Sequence, residues 1–389
     1  MTQSLVSYLF FLGRSHELAF QELSVFFPTS SQISDTIVEV SDDSFTHNKK
    51  QLPVKDALSV LGGTVKIAQI LGSETTLSPL DIAKYILKES DGKLTFGMSS
   101  YEGVPKVSER TNREIKEILE KEGRKARFIL PKEHAILSGV AVSKQDVLEI
   151  NIVAHDGAFL ITKTIALQEF EEWAIRDFER PFYDSKKGML PPKAARMAVN
   201  IGLGADAQGK TLLDPFCGMG TIPSEALLEG AIVMGSDSDK DAVEKAKKND
   251  IWLRSYHTTL PPITYFVSDA THVSEQIRKE TIDVIVTEPF MGSPKLGEGK
   301  ITDPKEIKNS IKGLEKLYIG CLKDWQKILK PKGVVVIAIP QIVLANTKYS
   351  VKTVIDSCET LGYTNLLGPL PYSRPQAVVR RMFYKFVKL

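Results

Sequence analysis

An apolar run ends at Asp214 and opens into Asp214-Pro215-Phe216-Cys217-Gly218-Met219-Gly220-Thr221, a string that limits the fold more than any other in the chain. Two glycines one residue apart let a strand turn sharply and bring the backbone close to a ligand. Pro223 suits the first turn of a helix, so the loop is expected to lead into a helix N-terminus. A nicotinamide-type GxGxxG would need glycine where Pro223 stands, which argues against a dehydrogenase. A strand, glycine loop and helix in succession predict a parallel sheet, and the sequence downstream agrees. Strands are expected at 211–214, 231–236, 263–267, 282–287 and 333–340, with helical stretches between most of them. Residues 334–339 are almost continuously apolar, the pattern of a strand buried on both faces. Residues 383–388 are expected to add a last, antiparallel strand.

Residues 1–165 have a different texture, with short strands and helices and no glycine-rich loop. Strands are expected at 7–12, 37–40, 65–70, 94–98, 126–129, 140–142, 148–153 and 158–166, and helices at 15–27, 78–87 and 109–122. Pro28 stops the first helix, and Ser78 is placed to cap the second. Between 168 and 192 charged residues interleave with Trp173, Ile175 and Phe178, read as packing positions. Pro181, Pro191 and Pro192 bracket a polar stretch with Lys186, Lys187 and Gly188, punctuation that suits a domain connection. The expected fold class is α/β, with a doubly wound sheet in 194–389, a linker at 166–193 and an α+β region over 1–165.

Composition sets the outer limits. With 389 residues, 42% hydrophobic and 25% charged, the chain is long enough for two or three packed domains. A net charge of +2 neither supports nor excludes a nucleic-acid partner, which needs only a local basic surface. Cys217, Cys321 and Cys358 show no CxxC spacing and the six histidines are scattered, so neither a disulfide framework nor a metal is expected. No signal peptide or membrane-length apolar run is legible, and a soluble intracellular, cytoplasmic protein with no membrane partner is expected. Nothing in the sequence specifies an activating protein subunit.

Acidic residues at strand ends carry the chemistry. Asp237 ends the second expected strand in Gly235-Ser236-Asp237, positioned to accept both hydroxyls of a ribose. Asp239 and Asp241 read as capping residues of the next helix. Asp269 follows the third strand, placed either to accept from an adenine amino group or as a solvated turn residue. The fourth strand runs into Thr287-Glu288-Pro289-Phe290-Met291-Gly292. Phe290, beyond the strand end, is expected to stack on a substrate and not to fill a core. Residues 293–300, with Gly297, Gly299, Lys295 and Lys300, read as a substrate loop or a plain linker.

DPFCGMGT, GSD and SDA, in this order and spacing, resemble motifs of class I S-adenosylmethionine-dependent methyltransferases. The resemblance implies Asp214 facing the methionine amino group and Phe216, Gly218 and Gly220 in the methionine loop. It also implies Asp237 on the ribose and Asp269 on the adenine. TEPF is similar to the Asn/Asp-Pro-Pro-aromatic loop of amino-group methyltransferases, which implies catalytic roles for Thr287, Glu288, Pro289 and Phe290. Thr287 stands where that pattern has Asp or Asn, and Glu288 replaces its first proline. Arg180-Pro181, then 187–196, and the C-terminal Tyr372-Ser373-Arg374-Pro375-Gln376 with Arg380 resemble THUMP-domain tRNA guanosine N2-methyltransferases. That family implies a ferredoxin-like and THUMP-like RNA-binding region over 1–165, S-adenosylmethionine as cofactor and tRNA as substrate. Arg113, Lys116, Lys121, Arg124, Lys125 and Arg127, and Lys186, Lys187 and Lys193, read as phosphate contacts or as solvated faces. The rival functions are an adenine N6-methyltransferase and an inactive RNA-binding protein retaining the cofactor fold.

Overall fold

The computed structural model describes residues 6–89, 92–132, 134–183, 189–344 and 347–389. Lys186, Lys187 and Gly188 lie outside the described residues. The N-terminal half contains β1 (Tyr8–Leu12), α1 (His16–Phe26), β2 (Ser31–Gln32), β3 (Ile37–Val40), β4 (Ser44–His47), β5 (Lys50–Pro53) and β6 (Thr64–Glu74). It continues with α2 (Pro79–Glu89), β7 (Leu94–Tyr101), α3 (Glu109–Lys121), β8 (Ala126–Ile129), α4 (Gly139–Lys144), β9 (Val147–His155) and β10 (Ala158–Leu167). Its main sheet has the order β2-β3-β1-β6-β10-β9-β7-β8, antiparallel except where β7 runs parallel to β8 and β9. β4 and β5 form a separate hairpin.

A short α5 (Phe170–Ala174) and a wide helical turn at Ile175–Glu179 lead to the C-terminal half. There follow α6 (Pro192–Leu203), β11 (Thr211–Asp214), α7 (Thr221–Leu228), β12 (Ile232–Asp237), α8 (Lys240–Tyr256), β13 (Ile263–Val267), β14 (Ile282–Thr287), α9 (Pro294–Gly297) and α10 (Pro304–Ile328). The last elements are β15 (Leu329–Leu344), β16 (Thr347–Ser350), α11 (Lys352–Asp356), β17 (Tyr363–Tyr372) and β18 (Val379–Lys388). The sheet order is β13-β12-β11-β14-β15-β18-β17. β11 to β15 are parallel, and β18 inserts antiparallel between β15 and β17.

Several sequence expectations need correction. Residues 140–142 are not a strand: Ser138 caps α4 by accepting from the Ala141 N–H at 3.2 Å, and Val142 alone of the two valines is buried. Three consecutive apolar residues, Val140, Ala141 and Val142, carry no period that separates helix from strand. Trp173 is buried as expected, whereas Phe178 is 63% exposed. Residues 293–300 hold a helical turn whose Leu296 is fully buried, so the segment is anchored. On α3, Arg113 and Lys116 pair with Glu109 and Glu120 one turn away, the pattern of a solvated helix face.

The two halves share one core. Phe10, Leu18 and Leu23 belong to the same buried cluster as Ala194, Met197 and Val199 of α6, Leu212 and Phe383. Gly62 makes this approach possible, because a Cβ there would lie 2.6 Å from the Lys193 carbonyl oxygen of α6. A buried polar seam crosses the same junction. Glu22 accepts from the Gly62 and Gly63 N–H groups at 2.8 Å each and from Asn200 Nδ2 at 2.7 Å. Burial pushes its carboxyl up to about 7 against these donors. Arg196 of α6 bonds Glu225 (2.9 Å) and Glu229, both on the α7 side, while His47 Nε2 lies 2.9 Å from Glu229.

Candidate active site

β12 lies on one side of β11 and β14 on the other, so the strand order reverses at β11. Successive crossovers leave in opposite directions there and open a crevice at the carboxyl ends of the strands, where ligands of open α/β sheets bind. Asp214, Asp237 and Thr287 are the last residues of β11, β12 and β14. Parallel pairing places Asp214 opposite Gly235 and Leu213 opposite Ile285, which brings the three ends together.

The loop after β11 has the conformation its glycines allow. Gly218 and Gly220 have φ of +50° and +89°, and Gly220 directly precedes α7. A Cβ on Gly218 would meet nothing within 4 Å, so the backbone here borders open space. Asp237 secures the loop, accepting from Gly218 N–H at 2.9 Å and from Asp239 N–H at 3.0 Å. Asn249 of α8 donates to Met219 O at 2.9 Å and exchanges hydrogen bonds with the Phe182 main chain at 2.9 and 3.0 Å. Arg180 reaches Thr221 Oγ1 at 2.7 Å, so the connection between the halves is clamped onto this loop. Cys217 is buried and its thiol is pushed well up by burial and by Asp214 and Asp237, which suits a structural role and not a nucleophile.

Asp214 is the most perturbed carboxylate of the crevice. It is 1% exposed, and its Oδ1 accepts from Thr287 Oγ1 at 2.7 Å and from Phe216 N–H at 3.1 Å. Among the described residues Oδ2 accepts no hydrogen bond. Burial, reinforced by the negative Asp237 and Glu288, raises the carboxyl to about 8. A carboxylate oxygen without a protein donor, at the strand end that leads into the glycine loop, fits a cationic ligand group.

Of the four residues expected at the substrate amine, Thr287 and Glu288 have protein partners, Pro289 is buried and Phe290 is exposed. Thr287 is fully buried and gives its hydroxyl to Asp214. Glu288 forms an ion pair with Arg381 of β18 and accepts from the Leu190 N–H. Burial raises Glu288, and Arg381 pulls it back. Pro289 is buried, and Phe290 stands 55% exposed with its carbonyl held by Tyr318 Oη at 2.7 Å. Phe216 is half-buried in the loop. Asp269 adjoins Asp237 through the Ser268 N–H to Asp237 O bond of 3.0 Å, but its Oδ1 takes both the N–H and the hydroxyl of Thr271 at 2.8 Å. These bonds, the main-chain one first, hold Asp269 below the usual carboxylate range. Arg381, Tyr318 and Asn249 carried no local sequence signal; each acts from an element remote in the chain.

Residues 184–351 match the family described as UPF0020, RMKL-like, methyltransferase domain. A tRNA (guanine(10)-N2)-dimethyltransferase of Methanothermobacter thermautotrophicus is 32% identical over 192 residues, 49% of this chain and 50% of that relative. A probable tRNA (guanine(10)-N2)-dimethyltransferase of Methanothermococcus thermolithotrophicus is 32% identical over 114 residues, 28% of this chain and 67% of that relative. The chain spans about half the length of the first curated relatives it matches. The crystal structure of TrmN from Thermus thermophilus is similar in fold, with a TM-score of 0.55 at 18% identity over 98% of this chain and 100% of that one. Glycine loop, acidic strand ends and amine loop thus stand on a matching domain, and the chain belongs to the tRNA guanosine N2-methyltransferase family with its RMKL-like class I methyltransferase domain.

Proposed function

We propose that this chain transfers a methyl group from S-adenosylmethionine to the exocyclic N2 amine of a guanosine in tRNA. The supporting observation is the 2.7 Å bond from Thr287 to Asp214, which sets the amine loop directly against the cofactor loop. The orphaned Asp214 oxygen, the open space over Gly218 and the acidic Asp237 fit an ammonium and a sulfonium beside a ribose. When bound, S-adenosylmethionine supplies an electrophilic methyl group. Asp214 holds the methionine end, Asp237 meets the ribose, and Asp269 borders the adenine side with its outward oxygen.

Phe290 presents its ring on a stem fixed by Tyr318, so a splayed-out base stacks there without the loop having to order. With Thr287 and Glu288 engaged, the main-chain carbonyls of the loop are the acceptors assigned to the amine. The relatives' printed names supply the tRNA and the guanine N2 atom. Residues 1–165 are assigned to RNA binding, 166–193 to the connection and 194–389 to methyl transfer, in the cytoplasm where tRNA is available.

Unmodified tRNA incubated with labelled S-adenosylmethionine should yield N2-methylguanosine on digestion. Phe290→Ala should lower kcat/KM for tRNA about 10- to 100-fold, the equivalent of ~1–3 kcal/mol of base stacking, with S-adenosylhomocysteine affinity unchanged. Label recovered in adenosine or in DNA, or cofactor binding with no transfer to any tRNA, would refute the assignment.

A further inference from the structure

We propose that Thr287 is a positioning residue for the cofactor carboxylate: its hydroxyl fixes Asp214 Oδ1 and so leaves Oδ2 for the cationic end of the cofactor. The inference rests on the reading of this crevice as the cofactor site. It departs from the expectation that the first residue of the amine loop serves the amine.

The geometry leaves Thr287 no path to a substrate. The residue is fully buried, is the last of β14 and pairs with Ile337 of β15, while the exposed part of the loop begins at Phe290. Its hydroxyl has one proton, and that proton goes to Asp214. Threonine is short enough to bridge adjacent strand ends, where a longer acid would set two carboxylates against each other. Glu288, the carboxylate that the loop does carry, is engaged by Arg381.

The bond also bears on the titration of Asp214, because a donor to the ionised form favours that form. The other groups facing Asp214 are Asp237 at the end of β12, Glu288 with its partner Arg381, Cys217 in the loop and Tyr265 on β13. Asp237 and Glu288 push the carboxyl up, and the Thr287 bond pulls it down, leaving it at about 8. Affinity for a cationic ligand should therefore rise with pH as Asp214 ionises. Losing the hydroxyl should move that rise to higher pH.

The test is calorimetric titration of S-adenosylhomocysteine into the whole protein from pH 6 to 9, with kcat on tRNA at saturating S-adenosylmethionine measured in parallel. Thr287→Val should weaken binding about tenfold at pH 7.5 and shift the ascending limb up by about one pH unit. Thr287→Ser should restore both, and kcat should stay within about threefold of wild type throughout. Thr287→Ala replaces the valine variant if melting curves show the latter unfolded. An unshifted limb, or a loss confined to kcat with binding intact, overturns the proposal. Asp214→Asn separates the levels: binding lost there but unaffected at Thr287 rejects this inference alone, and binding unaffected by both rejects the cofactor site as well.

Discussion

Asp214→Asn should make the cofactor-free protein more stable, by a few kcal/mol at pH 8, while weakening S-adenosylhomocysteine binding on the order of a hundredfold. Both donors to Asp214, Thr287 Oγ1 and Phe216 N–H, converge on Oδ1. An asparagine oxygen can keep both bonds, and only the charge at Oδ2 is lost. The wild-type carboxyl is raised from its ordinary range to about 8, so the folded chain holds this proton more tightly than the unfolded chain. Its contribution is therefore fully present below the ordinary carboxylate range and declines as pH climbs to about 8. Asparagine removes that decline. Glu22, raised to about 7 by burial, leaves a second decline of the same sign in both proteins. Denaturation from pH 5 to 9 without cofactor, beside calorimetric binding, checks the pair of effects. Equal pH slopes in the two proteins would show that Asp214 is not held as described. The opposition of the two effects is the stability cost of a preorganised site.

Arg196→Ala should destabilise the protein by about 3–5 kcal/mol, because it takes the shared guanidinium from two buried carboxylates and leaves Glu225 with Arg176 at 3.5 Å and Glu229 with His47. Arg196 is 2% exposed, and its guanidinium joins both Glu225 and Glu229 to α6. Its Nη1 also donates to Val60 O at 3.3 Å, which ties the N-terminal half into the same cluster. A lysine cannot span both glutamates, so Arg196→Lys should recover only part of the loss. For a chain of this size the alanine variant should melt on the order of 10 °C below wild type. A loss under about 1 kcal/mol would mean that the cluster is hydrated and weak, as surface pairs are. Because Glu225 lies within α7, which follows directly on Gly220, the damage should extend to cofactor affinity.

The C-terminal half was far more legible in the sequence than the N-terminal half, for a physical reason. Strands buried on both faces are continuously apolar, and a glycine loop between strand and helix permits few connections. Residues 211–214, 263–267 and 282–287 could therefore be placed almost to the residue. In the N-terminal half no such loop marks where a strand ends, and the strand expected at 65–70 runs over Thr64–Glu74. Residues 140–142 show the failure: three residues carry no period, and the Ser138 cap decided for a helix.

The sequence by itself determined which residue types stand at the strand ends: Asp214 and Asp237 beside the glycines, and Pro289-Phe290 beyond the fourth strand. Chain order and strand period suffice for that, since each of these residues ends an element defined by its own neighbours. Only the tertiary structure decided what those residues face. Thr287 lies 73 positions from Asp214, and Glu288 lies 93 from Arg381. Both contacts exist because parallel β11 and β14 end level and antiparallel β18 returns beside β15. A hydrogen bond or an ion pair is set by distance in space and by burial, and neither is encoded in the local pattern around a single residue. The two departures from the family's loop pattern, Thr287 and Glu288, are thereby joined to Asp214 and to Arg381 by contacts that no local pattern encodes.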